Sequence, residues 1–277
     1  MGITFIGHVS RDVDIVRGQT TQAFGGGVFH NGVTAARVGA ESRVITRALA
    51  EDSEQILARF NGAGTQVTIL DSPTPTSIQN SYLSDSPDSR VSRLISRAAP
   101  FSIRDLEEVS DTVIHVNPLW YPEFPPELLL AVRRQAQVLG IDAQGFLRRS
   151  DCDGTLILTD WEEKAHYLPL VDVLKVDACE ARVLTGQDDH REAATTLSAL
   201  GAKVVLLTHV NGVGLLSQGS WTEFAFDPYD LSCRTGRGDT FTAAYLVGSC
   251  YMPPAEAAKY ATEITNKKLK YPGPYRG

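Results

Sequence analysis

Residues 232–241 read Ser-Cys-Arg-Thr-Gly-Arg-Gly-Asp-Thr-Phe, and an apolar stretch with the pattern of a helix follows. Gly236 and Gly238 bracket Arg237 just before that helix, in a turn that can direct several backbone N–H groups to one point. The helix amino terminus adds partial positive charge, so the segment predicts an anion hole. Asp239 lies beside it, where a carboxylate can accept a proton from an alcohol while the amides stabilise a transferring phosphoryl group. A plainer interpretation stays open, in which Asp239 only caps the helix and the glycines only permit the turn.

The rest of the chain alternates between short apolar runs and helical stretches. Such alternation predicts an α/β fold, with a mostly parallel sheet covered by helices on both faces. Residues 71–93 differ, because prolines, serines and threonines flank a polar-aromatic segment that predicts a hairpin or flap. Residues 215–216 and 221–226 predict a second hairpin at the far edge of the sheet. One predicted helix follows the glycine triplet 25–27 and stops at Gly39, and the others span residues 53–60, 128–139, 179–184, 191–200, 240–250 and 255–269.

Composition restricts the class of partner. The 277 residues carry a formal net charge of -7, which argues against nucleic acid, because phosphate backbones are held mainly by clustered Lys and Arg. No apolar run approaches the ~20 residues that span a bilayer, and the first residues do not resemble a signal peptide. The four cysteines show no zinc-ligand spacing. We therefore expect a cytoplasmic protein with a small-molecule partner, and neither a nucleic-acid nor a membrane partner.

Residues 235–241 resemble the carboxy-terminal signature of the ribokinase-like, or PfkB-type, carbohydrate kinases, usually Asp-Thr-x-Gly-Ala-Gly-Asp-x-Phe. The resemblance covers nearly the whole chain. It implies a three-layer αβα fold in one domain, residues 1–277, with a small β lid formed from about residues 8–24 and 71–98. It also implies transfer of the γ-phosphoryl group of ATP to a hydroxyl of a small sugar or polyol, cyclitols included. Asp239 would be the general base, and the amides of Gly236, Arg237, Gly238 and Asp239 would form the anion hole.

The amino-terminal half carries the acceptor motifs of the resemblance. Asp12 follows a segment similar to the first strand and turn of the family, whose Asp binds substrate hydroxyls. Gly26 and Gly27 begin a match to Gly-Gly-x-x-x-Asn, which implies that the backbone approaches the substrate and that Asn31 hydrogen-bonds to it. Without the family, the glycine triplet and one Asn are a weak signal, and a plain strand-to-helix turn is the more common explanation. Gln144 lies in a segment similar to one that reaches the active cleft in some members, although a simple loop also fits.

The carboxy-terminal half carries the donor and metal motifs. Residues 177–180 resemble Asn-x-x-Glu, which implies that Glu180, with Asp177 in the place of the usual Asn, helps to position Mg²⁺. The resemblance assigns ATP contacts to a further set of residues, namely Thr208, Asn211, Gly212, Gly214, Arg234, Thr235, Gly238 and Asn266. Two of these assignments have plain alternatives, because the glycines after Thr208 are displaced from the family pattern and Asn266 also fits an exposed helix terminus.

The signature departs from the family pattern at two positions. Cys233 replaces the leading Asp, which in many members helps to hold a monovalent cation, and a thiol is a poor potassium ligand. We therefore expect no monovalent cation, with Arg234 as a built-in positive charge. Arg237 replaces the usual Ala, and its guanidinium either contacts a phosphate or points outward.

Three functions stay open at this point. The first is an ATP- and Mg²⁺-dependent kinase of a sugar, cyclitol or other polyol. The second is a nucleoside kinase, which aromatic side chains such as Phe29, Tyr82 and Trp120 stacking on a base would favour. The third is a non-catalytic sugar- or nucleotide-binding regulator, suggested by Cys233 and Asp177. The resemblance also suggests a homodimer whose two subunits pair through the lid.

Overall fold

The computed structural model describes residues 1–16, 18–82, 90–107, 109–230 and 233–277, without the side chains of Tyr82 and Arg90. Ser232 of the signature and lid residues 83–89 lie outside this part of the chain. A central nine-stranded sheet forms the middle of the fold. In spatial order its strands are β15 (Ser220–Ala225), β14 (Gly212–Ser217), β13 (Val204–His209), β12 (Val173–Asp177), β9 (Ala136–Asp142), β8 (Asp111–Val116), β1 (Gly2–Ile6), β4 (Glu41–Ala48) and β5 (Gln66–Asp71).

The pairing from β5 to β13 is parallel throughout, and the hairpin of β14 and β15 adds two antiparallel strands at one edge. The predicted parallel sheet and its edge hairpin are therefore confirmed. Because parallel strands end at the same edge of a sheet, β1, β8, β9, β12 and β13 bring the residues that follow them together.

Helices cover both faces of this sheet, as its apolar strands require. One buried cluster joins the sheet to the first two and last two helices, and the other joins it to the helices between them. These helices are α1 (Gly27–Arg37), α2 (Ser53–Phe60), α3 (Leu129–Gln135), α4 (Gln144–Leu147), α5 (Lys164–Tyr167), α6 (Ala178–Thr185), α7 (His190–Ala199), α8 (Arg237–Gly248) and α9 (Pro254–Lys268). The three-layer α/β prediction is confirmed.

Two helix boundaries differ from the prediction by three or more residues. Helix α3 ends at Gln135, four residues early, because Ala136 already pairs with Asp111 of β8 as the first residue of β9. Helix α8 begins at Arg237 rather than Thr240, because Gly236 adopts a left-handed φ of 78° and ends the turn there. Asp239 therefore lies inside the first turn of α8. Pro254 is the first residue of α9, where a missing N–H has no cost.

A separate four-stranded sheet has the order β3 (Gln19–Gly25), β2 (Ser10–Val16), β6 (Thr76–Tyr82) and β7 (Arg90–Ser96). We call it the second sheet. Its buried side chains Ile78 and Leu94 pack against Leu119 and Trp120, which follow strand β8. One face of the second sheet therefore lies over the chain that leaves the central sheet at β8. A short ribbon of β10 (Arg148–Ser150) and β11 (Leu156–Leu158) lies beside β7.

No helix in the described ranges combines the length and the apolar composition that a bilayer span requires.

Candidate active site

The amino terminus of α8 is built around Gly236. A Cβ added there would lie 2.1 Å from Nδ1 of His30, and the positive φ would strain any other residue. The turn closes through the Arg237 N–H, which donates to the Arg234 carbonyl at 3.0 Å. The first-turn N–H groups of a helix have no helical partners, so an anion in front of this turn meets several donors and the positive end of the helix dipole.

Asp239 is half-buried in the first turn of α8, and two asparagines hold it. Nδ2 of Asn117 donates to Oδ1 of Asp239 at 3.0 Å and to Oδ1 of Asn31 at 2.7 Å. Nδ2 of Asn31 donates to the backbone carbonyl of Asp239 at 2.9 Å. The carboxylate is thus fixed in direction beside the helix start, as a base must be if it is to meet a substrate hydroxyl.

The glycine triplet lets the chain pass close to this carboxylate. A Cβ on Gly27 would lie 2.2 Å from Nδ2 of Asn117 and 2.6 Å from Oδ1 of Asp239, so a larger residue would displace one of them. Gly26 has a φ of 102°, and a Cβ there would lie 2.6 Å from the His8 carbonyl. The structure therefore brings Gly26, Gly27 and Asn31 to the same place as Asp239.

Sequence reasoning missed Lys175 and Asn117. Lys175 is a buried cation at the carboxyl end of β12, with Nζ 2.9 Å from Oδ2 of Asp142 and 3.9 Å from Oε2 of Glu180. A Cβ on Gly238 would lie 3.4 Å from the Lys175 Cε, so the amine lies next to the turn. Burial alone lowers the pKa of Lys175, but the surrounding carboxylates, Asp142 first, raise it above its ordinary value. A signal was present, since both are polar residues at the end of a buried strand.

The proposed metal residues form a capping box at the start of α6. The Asp177 side chain accepts from the Glu180 N–H at 2.8 Å, and the Glu180 side chain accepts from the Asp177 N–H at 2.7 Å. Each carboxylate has a second oxygen that these bonds do not use, and carboxylate oxygen suits Mg²⁺. Burial raises the pKa of Glu180. The two residues fit a Mg²⁺ that they would bind through one oxygen each or through water.

The residues assigned to the nucleotide have partners of their own. The Thr208 hydroxyl donates to the Val176 carbonyl at 3.3 Å, and the Asn211 N–H donates to Nδ1 of His209 at 3.4 Å. Gly212 and Gly214 lie within β14, where a Cβ would approach the Phe224 carbonyl at 2.1 Å and the Trp221 ring at 1.9 Å. Packing against β15 therefore explains both glycines.

Asn266, Arg234 and Thr235 lie around the start of α8. Oδ1 of Asn266 accepts from the Asp227 N–H at 3.1 Å, which ties α9 to the chain before α8. Arg234 is half-buried and Thr235 is exposed. A second cation, Lys268, also lies beside Cys233, and its Nζ donates to the Cys233 carbonyl.

Arg237 does not point outward. Its side chain is only 8% exposed, and its guanidinium donates to the Val210 carbonyl at 3.1 Å and to the Tyr229 hydroxyl. It also lies over the rings of Phe226 and Tyr229, at 5.2 and 5.7 Å from their centroids. Burial lowers the pKa of this guanidinium. Arg237 therefore joins the start of α8 to the turn between β13 and β14.

The second sheet contributes a row of polar side chains to its inner face. Asp12 accepts from the Ser10 hydroxyl at 2.7 Å and pairs in register with Ile78, so the two side chains share a face. On that face Nδ2 of Asn80 donates to Asp14 at 3.0 Å, and the Ser92 hydroxyl donates to Oδ1 of Asn80 at 2.7 Å.

Gln144 and the aromatic residues weighed for a nucleoside have partners in the fold. Oε1 of Gln144 accepts from the Arg148 guanidinium at 2.9 Å. Phe29 is 3% exposed and meets the Phe60 ring edge-on, and Trp120 is 3% exposed and packs against the second sheet. Neither ring is exposed for stacking on a base. The Tyr82 side chain lies outside the described residues.

His190, His209 and Glu223 place one ligand atom each within 4.8 Å of one another. Nε2 of His209 already pairs with Glu223 at 3.0 Å, and its Nδ1 accepts from Asn211. Both ring nitrogens of His209 are therefore in use, and an ordinary His–Glu pair accounts for this cluster.

Comparison with known proteins gives the class of this chain. No protein-family profile matches it. A pyrophosphate-dependent kinase in the ribokinase family, solved with a pyrophosphate analogue and myo-inositol, is 42% identical over 99% of this chain and 97% of its own, with a TM-score of 0.93. A pyrophosphate-dependent myo-inositol-1 kinase converted into a myo-inositol-3 kinase by two substitutions is 41% identical over 99% and 95%, with a TM-score of 0.92. The cytidine kinase of Thermococcus kodakarensis is 26% identical over 98% of this chain and 96% of its own.

The fold, the helix start with its carboxylate and these relatives define a kinase of small molecules. The chain belongs to the ribokinase family.

Proposed function

We propose that this chain transfers a phosphoryl group from pyrophosphate to one hydroxyl of myo-inositol or a related cyclitol, with Asp239 as the general base. The observation that carries the proposal is the position of the Asp239 carboxylate, which Asn117 holds beside the open amides of the α8 start. A base and an anion hole at one point are what transfer from a phosphate donor to an alcohol requires.

Groups of this chain are sufficient to accept the proton and to stabilise the charge in the proposed reaction. The acceptor hydroxyl gives its proton to Asp239 while its oxygen bonds to the phosphorus of the donor. The bridging P–O bond of pyrophosphate breaks, and inorganic phosphate leaves. Lys175 and the α8 amides stabilise the charge of the transferring group, since Lys175 lies next to Gly238. Mg²⁺, when bound at Glu180 and Asp177, would neutralise donor charge.

The position of Arg237 supports pyrophosphate over ATP. Its side chain bonds to Val210 and Tyr229, and Asn266 bonds to Asp227. The family resemblance assigns Asn266 and the residues on both sides of Val210 to the nucleotide. In this chain those segments are already engaged in contacts with the rest of the protein. A donor that is all phosphate needs the α8 start but not that space. Two relatives that are at least 41% identical are pyrophosphate-dependent.

The second sheet supports a cyclitol as the acceptor. Its inner face carries carboxylates, an amide and a hydroxyl, which suit a ring of hydroxyl groups. We propose that this sheet is the lid, and that Asp12, Asn80 and Ser92 contact the acceptor when it closes. Asn31 and the Gly26–Gly27 backbone would contact it from the other side.

A matrix of donors and acceptors tests the proposal. Pyrophosphate and ATP, each with Mg²⁺, are offered with myo-inositol, ribose and cytidine, and phosphorus NMR identifies the products. We expect a phosphate ester from pyrophosphate and myo-inositol, with one inorganic phosphate released per ester. Turnover with ATP alone would overturn the donor, and turnover with cytidine alone would favour the nucleoside kinase. No turnover with any pair would favour the third function, a non-catalytic sugar- or nucleotide-binding regulator.

Asn80 and Ser92 should determine which hydroxyl reacts. In the relative described above, replacement of an asparagine and a serine by leucine moved phosphorylation from position 1 to position 3 of myo-inositol. Asn80 and Ser92 are a hydrogen-bonded Asn–Ser pair in the second sheet. We expect Asn80→Leu with Ser92→Leu to change the product isomer, read by NMR of the ester, while kcat falls by about 10-fold or less. The same isomer from the double variant would contradict this role, and Gln79→Leu with Arg93→Leu, at a neighbouring register pair, is the matched control.

A further inference from the structure

Lys268 is a buried cation at the last residue of α9, and its side chain is fully removed from solvent. Its Nζ donates to the backbone carbonyl of Cys233. Among the described residues it forms no ion pair. A buried ammonium without a carboxylate against it is costly, so the fold keeps this charge at the expense of stability. Such a cost calls for a role outside stability.

Lys268 lies directly behind the turn that leads into α8. In a trans peptide the carbonyl and the following N–H point in opposite directions, so holding the Cys233 carbonyl fixes the direction of the Arg234 N–H. The Arg234 carbonyl in turn accepts from the Arg237 N–H. The His30 ring packs against Gly236 of the same segment. Lys268 therefore anchors the segment from Cys233 to Gly236 from its inner side.

The charge of Lys268 also acts on the site itself. It interacts electrostatically with Asp239 and Arg237 of α8 and with His30 of α1. A fixed positive charge that is buried acts over a longer distance than one in solvent, because the screening is weaker. It would favour a phosphate in front of the turn.

We propose that Lys268 is a positioning residue, which holds the Cys233–Gly236 turn in place and supplies the positive charge behind the anion hole. This inference rests on the proposed function, since it assigns Lys268 to the phosphate donor. Arg234 as a built-in positive charge stays a prediction from the sequence, and Lys268 is proposed in addition to it.

The protonation of Lys268 gives the role a pH signature. Burial lowers the pKa of Lys268 to about 8, against the opposing effects of Cys233 and Asp239. The groups that face it are Cys233, Arg237 and Asp239 around the start of α8, and His30 on α1. Burial lowers the pKa of His30 to about 3, so that ring is neutral throughout the relevant range. Donor binding should therefore weaken as pH rises through about 8, because Lys268 loses its proton.

The test is donor binding rather than turnover. Pyrophosphate and, separately, ATP are titrated into the full chain by calorimetry without acceptor, and myo-inositol is titrated as a reference. We expect Lys268→Met to weaken the binding of each donor that the wild type binds, by about 10- to 100-fold, the range for a lost hydrogen bond from a charged group. Myo-inositol binding should stay unchanged. Lys267→Met, at the exposed neighbour on α9, should bind donor as the wild type does.

Lys268→Arg separates charge from structure. Arginine keeps its proton across the range, so this variant should bind donor at pH 7 within a few-fold of the wild type and should lose the decline near pH 8. If the decline persists in Lys268→Arg, a group other than Lys268 causes it and the role is overturned. Equal weakening of donor and myo-inositol binding in Lys268→Met, with a lowered Tm, would show that Lys268 has only a structural role and would also overturn the proposal.

A wild type that binds ATP but not pyrophosphate would overturn the proposed donor only, since the effect of Lys268 would then be measured with ATP. If the wild type binds neither donor, both proposals fall.

Discussion

Replacing Asp239 with Asn is expected to lower kcat by on the order of 10²- to 10⁴-fold, the usual contribution of a positioned general base. The amide has nearly the shape of the carboxylate, and its oxygen can still accept from Nδ2 of Asn117. It cannot take a proton from the acceptor. The chain should therefore fold, and it should bind myo-inositol and donor with affinities close to those of the wild type.

The measurement is single-turnover kinetics together with calorimetric binding of each substrate. Glu256→Gln, at an exposed position in the first turn of α9, is the matched control and should keep full activity. Undiminished turnover in Asp239→Asn would remove Asp239 as the base and would leave it a structural role in the first turn of α8, where the N-cap is Gly236 rather than Asp239.

Replacing Lys175 with Met is expected to be the most destabilising change in the site. It leaves the buried carboxylates of Asp142 and Glu180 without their cation, and breaking a buried ion pair in this way costs about 3–5 kcal/mol of unfolding free energy. Activity should also be lost, because the charge beside Gly238 is removed. Urea denaturation and kcat measure the two effects.

The loss of stability in Lys175→Met should depend on pH. Burial raises the pKa of Glu180, and removing the lysine raises it further. An acid whose folded pKa is raised contributes stability below its unfolded pKa and loses it as pH rises through the folded value. The variant should therefore be closer to the wild type at pH 5 than at pH 8. A loss independent of pH would contradict this cause.

A double variant, Lys175→Met with Asp142→Asn, separates stability from catalysis. Removing one of the two unpaired charges should recover a large part of the stability while activity stays low. Recovery of both would show that Lys175 only supports the fold.

Several sequence predictions are not tested by the structure and stay predictions. They are the cytoplasmic location, the homodimer through the lid, the absence of a monovalent cation and the ATP contacts of Thr208, Asn211, Gly212, Gly214, Arg234, Thr235, Gly238 and Asn266. A second reason for glycine applies to the displaced glycines that follow Thr208. Gly212 and Gly214 looked like loop residues because glycine is typical of turns, but the close approach of β15 selects glycine just as strongly.

The sequence by itself determined the order of the elements, the parallel sheet and the turn before α8, because hydrophobic periodicity and glycine placement are local properties of the chain. It also identified Asp239, Gly27 and Asn31, whose motifs are contiguous. Only the tertiary structure brought Asn117, Lys175 and Lys268 to that turn. They come from the end of β8, from β12 and from α9, elements that are distant from one another in the sequence. Which strand ends and helix ends meet is decided by sheet order and packing.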